Sequence, residues 1–152
     1  MKNQPESLER TVVLVSPELT SRKLTALSYV YEAYGEILRE ALDYMYSKNV
    51  VSWVKAKKEL YRYFREKYPE LSSHYIHEAI RDASTRLKSF LKLKKKGLAY
   101  TDKPEVKQWS VGCDNQLWKL TLQGVSLATH IGWVNIPLLL HKQFYTTSID
   151  LM

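Results

Sequence analysis

The sequence predicts an α+β fold in which a small antiparallel, wedge-like β-barrel carries a three-helix bundle inserted after its first strand. Three observations predict it: an early β-rich run at 11–15, apolar residues repeating every three or four positions over 21–97, and alternating apolar residues after Pro104. A late meander alone would leave two open edges, so we expect the early strand to pair with the later ones. The predicted divisions are a tail and first strand (1–20), the inserted bundle (21–97), the remaining barrel strands (98–145) and a tail (146–152).

Capping and breaking residues set the limits of the three helices. Serine and threonine accept hydrogen bonds from the free N–H groups of a first helical turn, whereas proline and glycine end helices. The helices are predicted to begin at Thr20 or Ser21, Ser52 and Ser72-Ser73, and to end at 47–49, Pro69 and Gly97. Short connections between amphipathic helices favour a bundle.

Four short strands are predicted in the last third of the chain, separated by turn residues. They cover 108–114, 117–122, 125–131 and 133–136, with turns at Asp114-Asn115, Gly124 and Gly132. One tryptophan in each of three strands (Trp109, Trp118, Trp133) is expected to point inward and fill the barrel.

Length and composition exclude several classes of protein. The chain has 152 residues, enough for one folding unit, and is 45% apolar, too much for a disordered chain. A single cysteine excludes an internal disulfide and a Cys-based zinc site. The first ten residues are polar, so we expect no signal peptide. No apolar run reaches the roughly 18 residues that a membrane span needs. We therefore expect a cytoplasmic protein that makes no membrane contact.

Positive charge is concentrated in the middle of the chain. The net charge is +7, and residues 22–103 hold 18 Lys/Arg against 10 Asp/Glu. The densest part follows Asp82 and contains no acid before Asp102: Arg86, Lys88, Lys92, Lys94, Lys95 and Lys96. A helix C-terminus favours two or three cations but does not explain six. This run is the strongest candidate for contact with nucleic acid.

A second basic cluster lies on the second predicted helix. Lys58, Arg62 and Arg65 share one helix face, although Glu59 and Glu66 dilute their charge, so a solvated helix face explains them equally well. Lys103 and Lys107 complete the candidate phosphate contacts. Ten of the eleven tyrosines lie between positions 29 and 100, and those outside the apolar stripes are candidates for stacking on bases or for packing at helix edges.

Catalytic signatures are absent from the sequence. No phosphate-binding loop, nucleophile elbow or HExxH zinc motif occurs. His74, Glu78 and Asp82 share a helix face, but pairing with Arg81 and Arg86 explains them better than half of a metal site. We expect Cys113 to be a structural thiol, and we expect no catalytic residue, metal or cofactor.

Three stretches resemble the N-terminal part of the OrfB/TnpB proteins of bacterial and archaeal insertion sequences. The order and spacing of these stretches, over roughly residues 10–145, carry the resemblance. The first stretch is Thr11–Val15 with the long Tyr/Leu-rich helix that follows it. The second comprises Leu60–Phe64, Pro69–Ser73, Ala79–Ala83 and Lys88–Phe90, and the third comprises Lys103–Val106, Asp114–Leu120, Gly132–Leu138 and His141.

The resemblance implies a β-barrel wedge interrupted by a helical recognition lobe. In that family, which comprises RNA-guided DNA nucleases related to type V CRISPR effectors, these parts hold the guide RNA and help read a short DNA motif. Cutting is done by a following RuvC-like domain with acidic metal ligands, accompanied by a Cys-rich zinc element. No counterpart of either part is recognised in this sequence: Glu105 and Asp150 are isolated carboxylates, and a single cysteine cannot form the Cys pairs of a zinc element.

The resulting hypothesis is a fragment that binds structured RNA, DNA or both and lacks nuclease activity. The alternatives are a module that docks a separately encoded nuclease half, favoured by the neutral, Trp-rich β-part, and a truncated transposase relic without function.

Overall fold

A computed structural model of the chain describes residues 13–139. Residues 1–12, with Thr11 and Val12 of the predicted first strand, and residues 140–152, with His141 and Asp150, lie outside the described residues. Between 13 and 139 the chain forms three α-helices followed by three β-strands. The α+β class and its order, helices before the meander, are therefore as predicted. None of the helices in this range combines the length and apolar content that a membrane crossing requires.

The three helices form where the caps predict them. Helix α1 spans Ser21–Lys48, α2 spans Trp53–Lys67 and α3 spans Ser73–Lys95. Their first turns are capped by the side chains of Thr20, Ser52 and Ser72. Helix α1 ends at Asn49 in the left-handed conformation, and Gly97, with φ 74°, follows the last residues of α3.

Helices α1 and α3 run parallel and α2 runs antiparallel to both. Tyr34 of α1 contacts Asp82 of α3, and Tyr46, twelve residues later, contacts Lys94, twelve residues after Asp82. Lys67 at the end of α2 instead pairs with Glu36 and Glu40 of α1. The C-termini of α1 and α3 therefore lie at the same end of the bundle.

One apolar core joins the helices. It contains the fully buried side chains of α1 and α3 that repeat every three or four residues, among them Ile37, Leu38, Ile76 and Ile80, together with Phe64 of α2. The Tyr34 hydroxyl donates to Asp82 Oδ2 at 3.1 Å. Burial raises the pKa of the Tyr34 phenol well above its ordinary value, so it stays a neutral hydrogen-bond donor.

The strands form a three-stranded antiparallel sheet in the order β1-β2-β3. Strand β1 spans Trp118–Thr121, β2 spans Gly124–Thr129 and β3 spans Gly132–Pro137. Gly124, with φ 152°, starts β2 where a Cβ would lie 2.1 Å from the carbonyl oxygen of Ile136, so only glycine fits this close crossing. The sheet is open over the described residues, and the prediction of a closed barrel is wrong for this part of the chain.

Within residues 13–139 the early run forms one isolated bridge. The N–H of Leu139 donates to the carbonyl of Val15 at 2.7 Å, which is an isolated antiparallel bridge. The predicted pairing of the early run with the late β-part is thus found, two residues beyond β3. The helical bundle lies between the two partners along the chain.

The linker, residues 97–117, runs back along the groove between α1 and α3. The Tyr46 hydroxyl of α1 donates to the carbonyl of Asp102 at 2.9 Å, and Arg86 of α3 donates to the carbonyl of Gln108 at 2.9 Å. At the start of α3, His74 Nδ1 lies 2.7 Å from Asp114 Oδ2. The linker thus returns the chain from the C-terminus of α3 to its N-terminus.

The prediction of a first late strand at 108–114 is wrong, because this segment pairs with no strand among residues 13–139. It is extended, and its alternating side chains Trp109, Val111 and Cys113 pack on the helical core. The alternation therefore reports an extended chain whose apolar side contacts a helix groove instead of a second sheet layer.

The tryptophans do not fill a barrel interior, which corrects their predicted role. Trp118 and Trp133 are 41% and 48% exposed. Trp133 lies on the outer face of the sheet, where Lys119 Nζ sits 4.2 Å from its ring centroid. Trp109 instead stacks on Tyr31 and lies beneath the guanidinium of Arg39.

Gly35 is required by Trp109. A Cβ at position 35 would lie 2.3 Å from the indole ring, which is held by an Nε1 hydrogen bond of 3.0 Å to the Tyr31 carbonyl. An alanine in a helix is otherwise preferred to glycine by about 1 kcal/mol. The close seat of Trp109 on α1 thus explains a glycine in the middle of a long helix.

We expect Gly35→Ala to lower the free energy of unfolding by about 1–3 kcal/mol, because the methyl group displaces the indole. In a Trp109→Ala background the same substitution should instead raise it by about 0.5–1 kcal/mol through helix propensity. Urea unfolding followed by far-UV circular dichroism measures both. A stabilising effect of Gly35→Ala in the wild-type background would contradict the seat.

Candidate nucleic-acid interface

The lysines of α3 gather at the end of the bundle where α1 and α3 both terminate. Lys88, Lys92 and Lys95 lie on one face of α3 and are exposed, and Lys96 follows at the C-cap. No ion pair is formed by these four side chains within residues 13–139. Their charges are therefore available to a ligand.

Lys94 and Lys103 border the same end through the loop that follows α3. Lys94 Nζ lies 3.1 Å from the Tyr46 hydroxyl, which itself donates to the carbonyl of Asp102. Lys103 is exposed next to Asp102. We call the seven lysines Lys48, Lys88, Lys92, Lys94, Lys95, Lys96 and Lys103 the basic end.

Arg86, a predicted phosphate contact, is already used within the fold. Its Nε donates to Asp82 Oδ1 at 3.0 Å and its Nη2 to the Gln108 carbonyl at 2.9 Å. The side chain is half-buried between α3 and the linker. We therefore leave Arg86 out of the basic end.

The predicted cluster on α2 is not brought to the basic end. Trp53 at the start of α2 packs under Arg81 of α3, at 4.5 Å from the guanidinium, and α2 runs away from the lysines from there. Within the cluster, the Glu59 carboxylate accepts a hydrogen bond from the Tyr44 hydroxyl of α1 at 2.9 Å.

Two of the three side chains in this α2 cluster have partners. Arg65 donates to the carbonyl of Leu71 and so holds the turn after α2. Arg62, 92% exposed, lies 3.6 Å from Glu66, while Lys58 is exposed. Lys107 is exposed on the linker, one residue before the Gln108 carbonyl held by Arg86.

His74, Glu78 and Asp82, which share one face of α3, each pair with a side chain of the protein itself. Glu78 pairs with Arg81 at 3.5 Å and Asp82 with Arg86 at 3.0 Å, as predicted, whereas His74 pairs with Asp114 of the linker. Within residues 13–139 no three such side chains come together in a way that could hold a metal ion.

The environment of Cys113 is that of a structural thiol. Its side chain packs on the helical core beside Tyr75. Burial raises the pKa of the thiol, so it is protonated at neutral pH and is not an activated nucleophile.

Two residues of this surface were missed by sequence reasoning. Lys48 joins the basic end only because α1 runs parallel to α3, a fact of tertiary structure. Tyr100 was one tyrosine among ten, yet its side chain is fully exposed beside the lysines. The available signal for Tyr100 was its place in a loop directly after the basic run.

We expect Arg86→Gln to lower the free energy of unfolding by about 1 kcal/mol, because it removes a partner from Asp82 and from the linker while both side chains are partly exposed. The matched control Lys88→Gln, two residues along the helix, should change it by less than about 0.5 kcal/mol. Urea midpoints measure the difference. Equal effects of the two substitutions would show that the Arg86 contacts contribute nothing.

Comparisons with known proteins place the chain in a family. Residues 30–128, which run from α1 through most of β2, match the model of the Uncharacterized protein MJ0013 family. The chain is also 37% identical over 156 aligned residues to Uncharacterized protein MJ0857 of Methanocaldococcus jannaschii, an alignment that covers 91% of this chain and 57% of the relative. It thus spans little more than half of that relative's length. No solved structure matches the chain. The family match covers both the helical bundle and the linker, and the protein therefore belongs to the Uncharacterized protein MJ0013 family.

Proposed function

We propose that this protein binds nucleic acid through phosphate contacts made by the basic end. The observation that supports this proposal most directly is the convergence of two helix C-termini and seven lysines on one surface. Lysine ammonium groups release condensed counterions when they contact phosphates, which favours association.

The helix termini account for only part of this charge. Each C-terminus carries about half a negative charge from the helix dipole, so α1 and α3 together offset about one lysine. Two acids lie near the lysines: Asp102, which follows α3 in the Tyr46-bound part of the linker, and Asp43, which lies five residues before Lys48 in α1. The excess of several positive charges is what a polyanion would neutralise.

RNA is the nucleic acid that we propose first, because of the resemblance to the N-terminal part of OrfB/TnpB proteins. The descriptions of the matched family and of the relative name no insertion-sequence nuclease, so this resemblance stays a prediction. The proposed role is binding without cutting, in the cytoplasm.

We expect the logarithm of the affinity for RNA to fall with the logarithm of salt concentration with a slope near −3 to −4, if about four lysines reach phosphates. Replacing Lys92, Lys94, Lys95 and Lys96 together with Gln should remove most of that slope. Fluorescence anisotropy of a labelled RNA at about 50–200 mM salt measures it.

The matched control is Lys58→Gln with Arg62→Gln on α2, which removes two exposed cations that do not belong to the basic end. It should leave the slope unchanged. A normal slope in the quadruple variant together with a reduced slope in the α2 variant would move the phosphate site to α2. Absence of binding at low salt by the wild-type protein would refute the proposed function.

The second candidate function is docking of another protein on the β1 edge. Trp118 and Leu120 of β1 pair with Leu127 and Val125 of β2, so they lie on the sheet face that packs on α1. Helix α1 contacts β2 and β3 and leaves β1 uncovered. Leu120 is 53% exposed and Leu122 more so. An apolar edge strand of this kind is a site for strand addition.

The β1 edge is tested with the part of the Methanocaldococcus jannaschii relative that this chain does not span, expressed separately. Docking should be detected by sedimentation velocity, change little with salt, and be lost in Leu120→Lys because a charge enters an apolar contact. The control Ser126→Lys places the charge on the other sheet face. Equal sedimentation of the mixture and its components would exclude this partner.

A further inference from the structure

We propose that Tyr100 is a stacking platform for one unpaired nucleobase, which makes the favoured ligand of the basic end a single strand. This inference rests on the proposed function and adds the class of nucleic acid. It starts from an aromatic side chain that is entirely exposed although it lies in a loop held at both ends.

The Tyr100 loop, residues 97–103, is fixed to the bundle on either side of the tyrosine. At its start Gly97 has φ 74° and the N–H of Leu98 donates to the carbonyl of Leu93 at 2.8 Å, which turns the chain back on α3. At its end the Asp102 carbonyl accepts from the Tyr46 hydroxyl at 2.9 Å, and the Thr101 hydroxyl donates to the Lys103 carbonyl at 2.7 Å. Tyr100 is therefore presented from an anchored position.

The exposure of Tyr100 sets it apart from the other tyrosines in the helical part. Tyr34 and Tyr75 are buried, Tyr31 stacks on Trp109, and Tyr46 packs edge-on against Phe90. Tyr100 alone among these leaves its whole ring in solvent, which is unfavourable for a large apolar surface without a ligand.

The lysines around the Tyr100 loop supply the second half of a single-strand site. Lys96 immediately precedes the loop and Lys103 is its last residue. Lys94 Nζ lies 3.1 Å from the hydroxyl of Tyr46, which holds the Asp102 end of the loop. Sites for single strands combine cations that follow the backbone with aromatic rings on which bases stack. A duplex keeps its bases stacked on each other and can use only the cations.

The inference is tested with an adenine-rich single-stranded RNA of about 12 nucleotides, the same sequence as DNA, and an RNA duplex of equal length. Tyr100→Ala should weaken binding of both single strands about five- to tenfold and leave duplex affinity unchanged. Tyr100→Phe keeps the ring and should bind like the wild type. Because stacking involves no counterion, the salt slope should be the same in all three proteins.

The matched control is Tyr63→Ala, which removes a half-exposed tyrosine on α2 that is not part of the basic end or of the Tyr100 loop. It should bind all three ligands normally. Unchanged single-strand affinity in Tyr100→Ala, while the quadruple lysine variant loses its salt slope, would overturn the inference and leave the phosphate site standing. An equal loss on duplex and single strands, or a loss on only one kind of single strand, would also overturn it. A wild-type protein that binds none of the ligands would refute both proposals.

Discussion

The seat of Trp109 on Gly35 is the constraint on which the arrangement of this protein depends. A helix surface without a side chain at one position lets the indole approach α1 closely and place its N–H on the Tyr31 carbonyl. That contact holds the linker in the groove between α1 and α3. Without it, the linker would keep the hydrogen bonds from Tyr46 and Arg86 to its carbonyls but would lose its close packing on α1.

The same linker serves both ends of the molecule. Its first part forms the Tyr100 loop beside the basic end, and its last part delivers Leu117 into the helical core just before β1 begins. Arg86 and His74 fix intermediate points with hydrogen bonds. The charged side chains of α3 therefore fall into two groups. Those that face the linker, such as Arg86, hold the fold together, and those on the other side of the helix, such as Lys88 and Lys92, are exposed to solvent.

Local signals were sufficient for the helices and for the three strands of the meander, and insufficient for residues 108–114 and for the site. Thr20, Ser52 and Ser72 act on their own first turns, so their patterns predict the helix starts without knowledge of neighbours. Residues 108–114 show why alternation is weaker: it indicates an extended chain and an apolar side, but not what covers that side. Arg86 was grouped with the free lysines because its partner at Gln108 is 22 residues away. Tyr100 could not be singled out because exposure is a property of the folded molecule.

The long sequence separation between Trp109 and its seat on α1 has a consequence for the order in which the chain folds. Contacts among consecutive helices need only short loops, whereas the bond from Trp109 to Tyr31 closes a separation of 78 residues. Closing so long a loop loses more chain entropy than closing the short loops between consecutive helices, so we expect the seat to form late, on a bundle that already exists. We expect opening to run in the reverse order, with the linker and the sheet leaving together while the helices stay protected. Amide exchange in the strands therefore reports how firmly one indole is held on a distant helix.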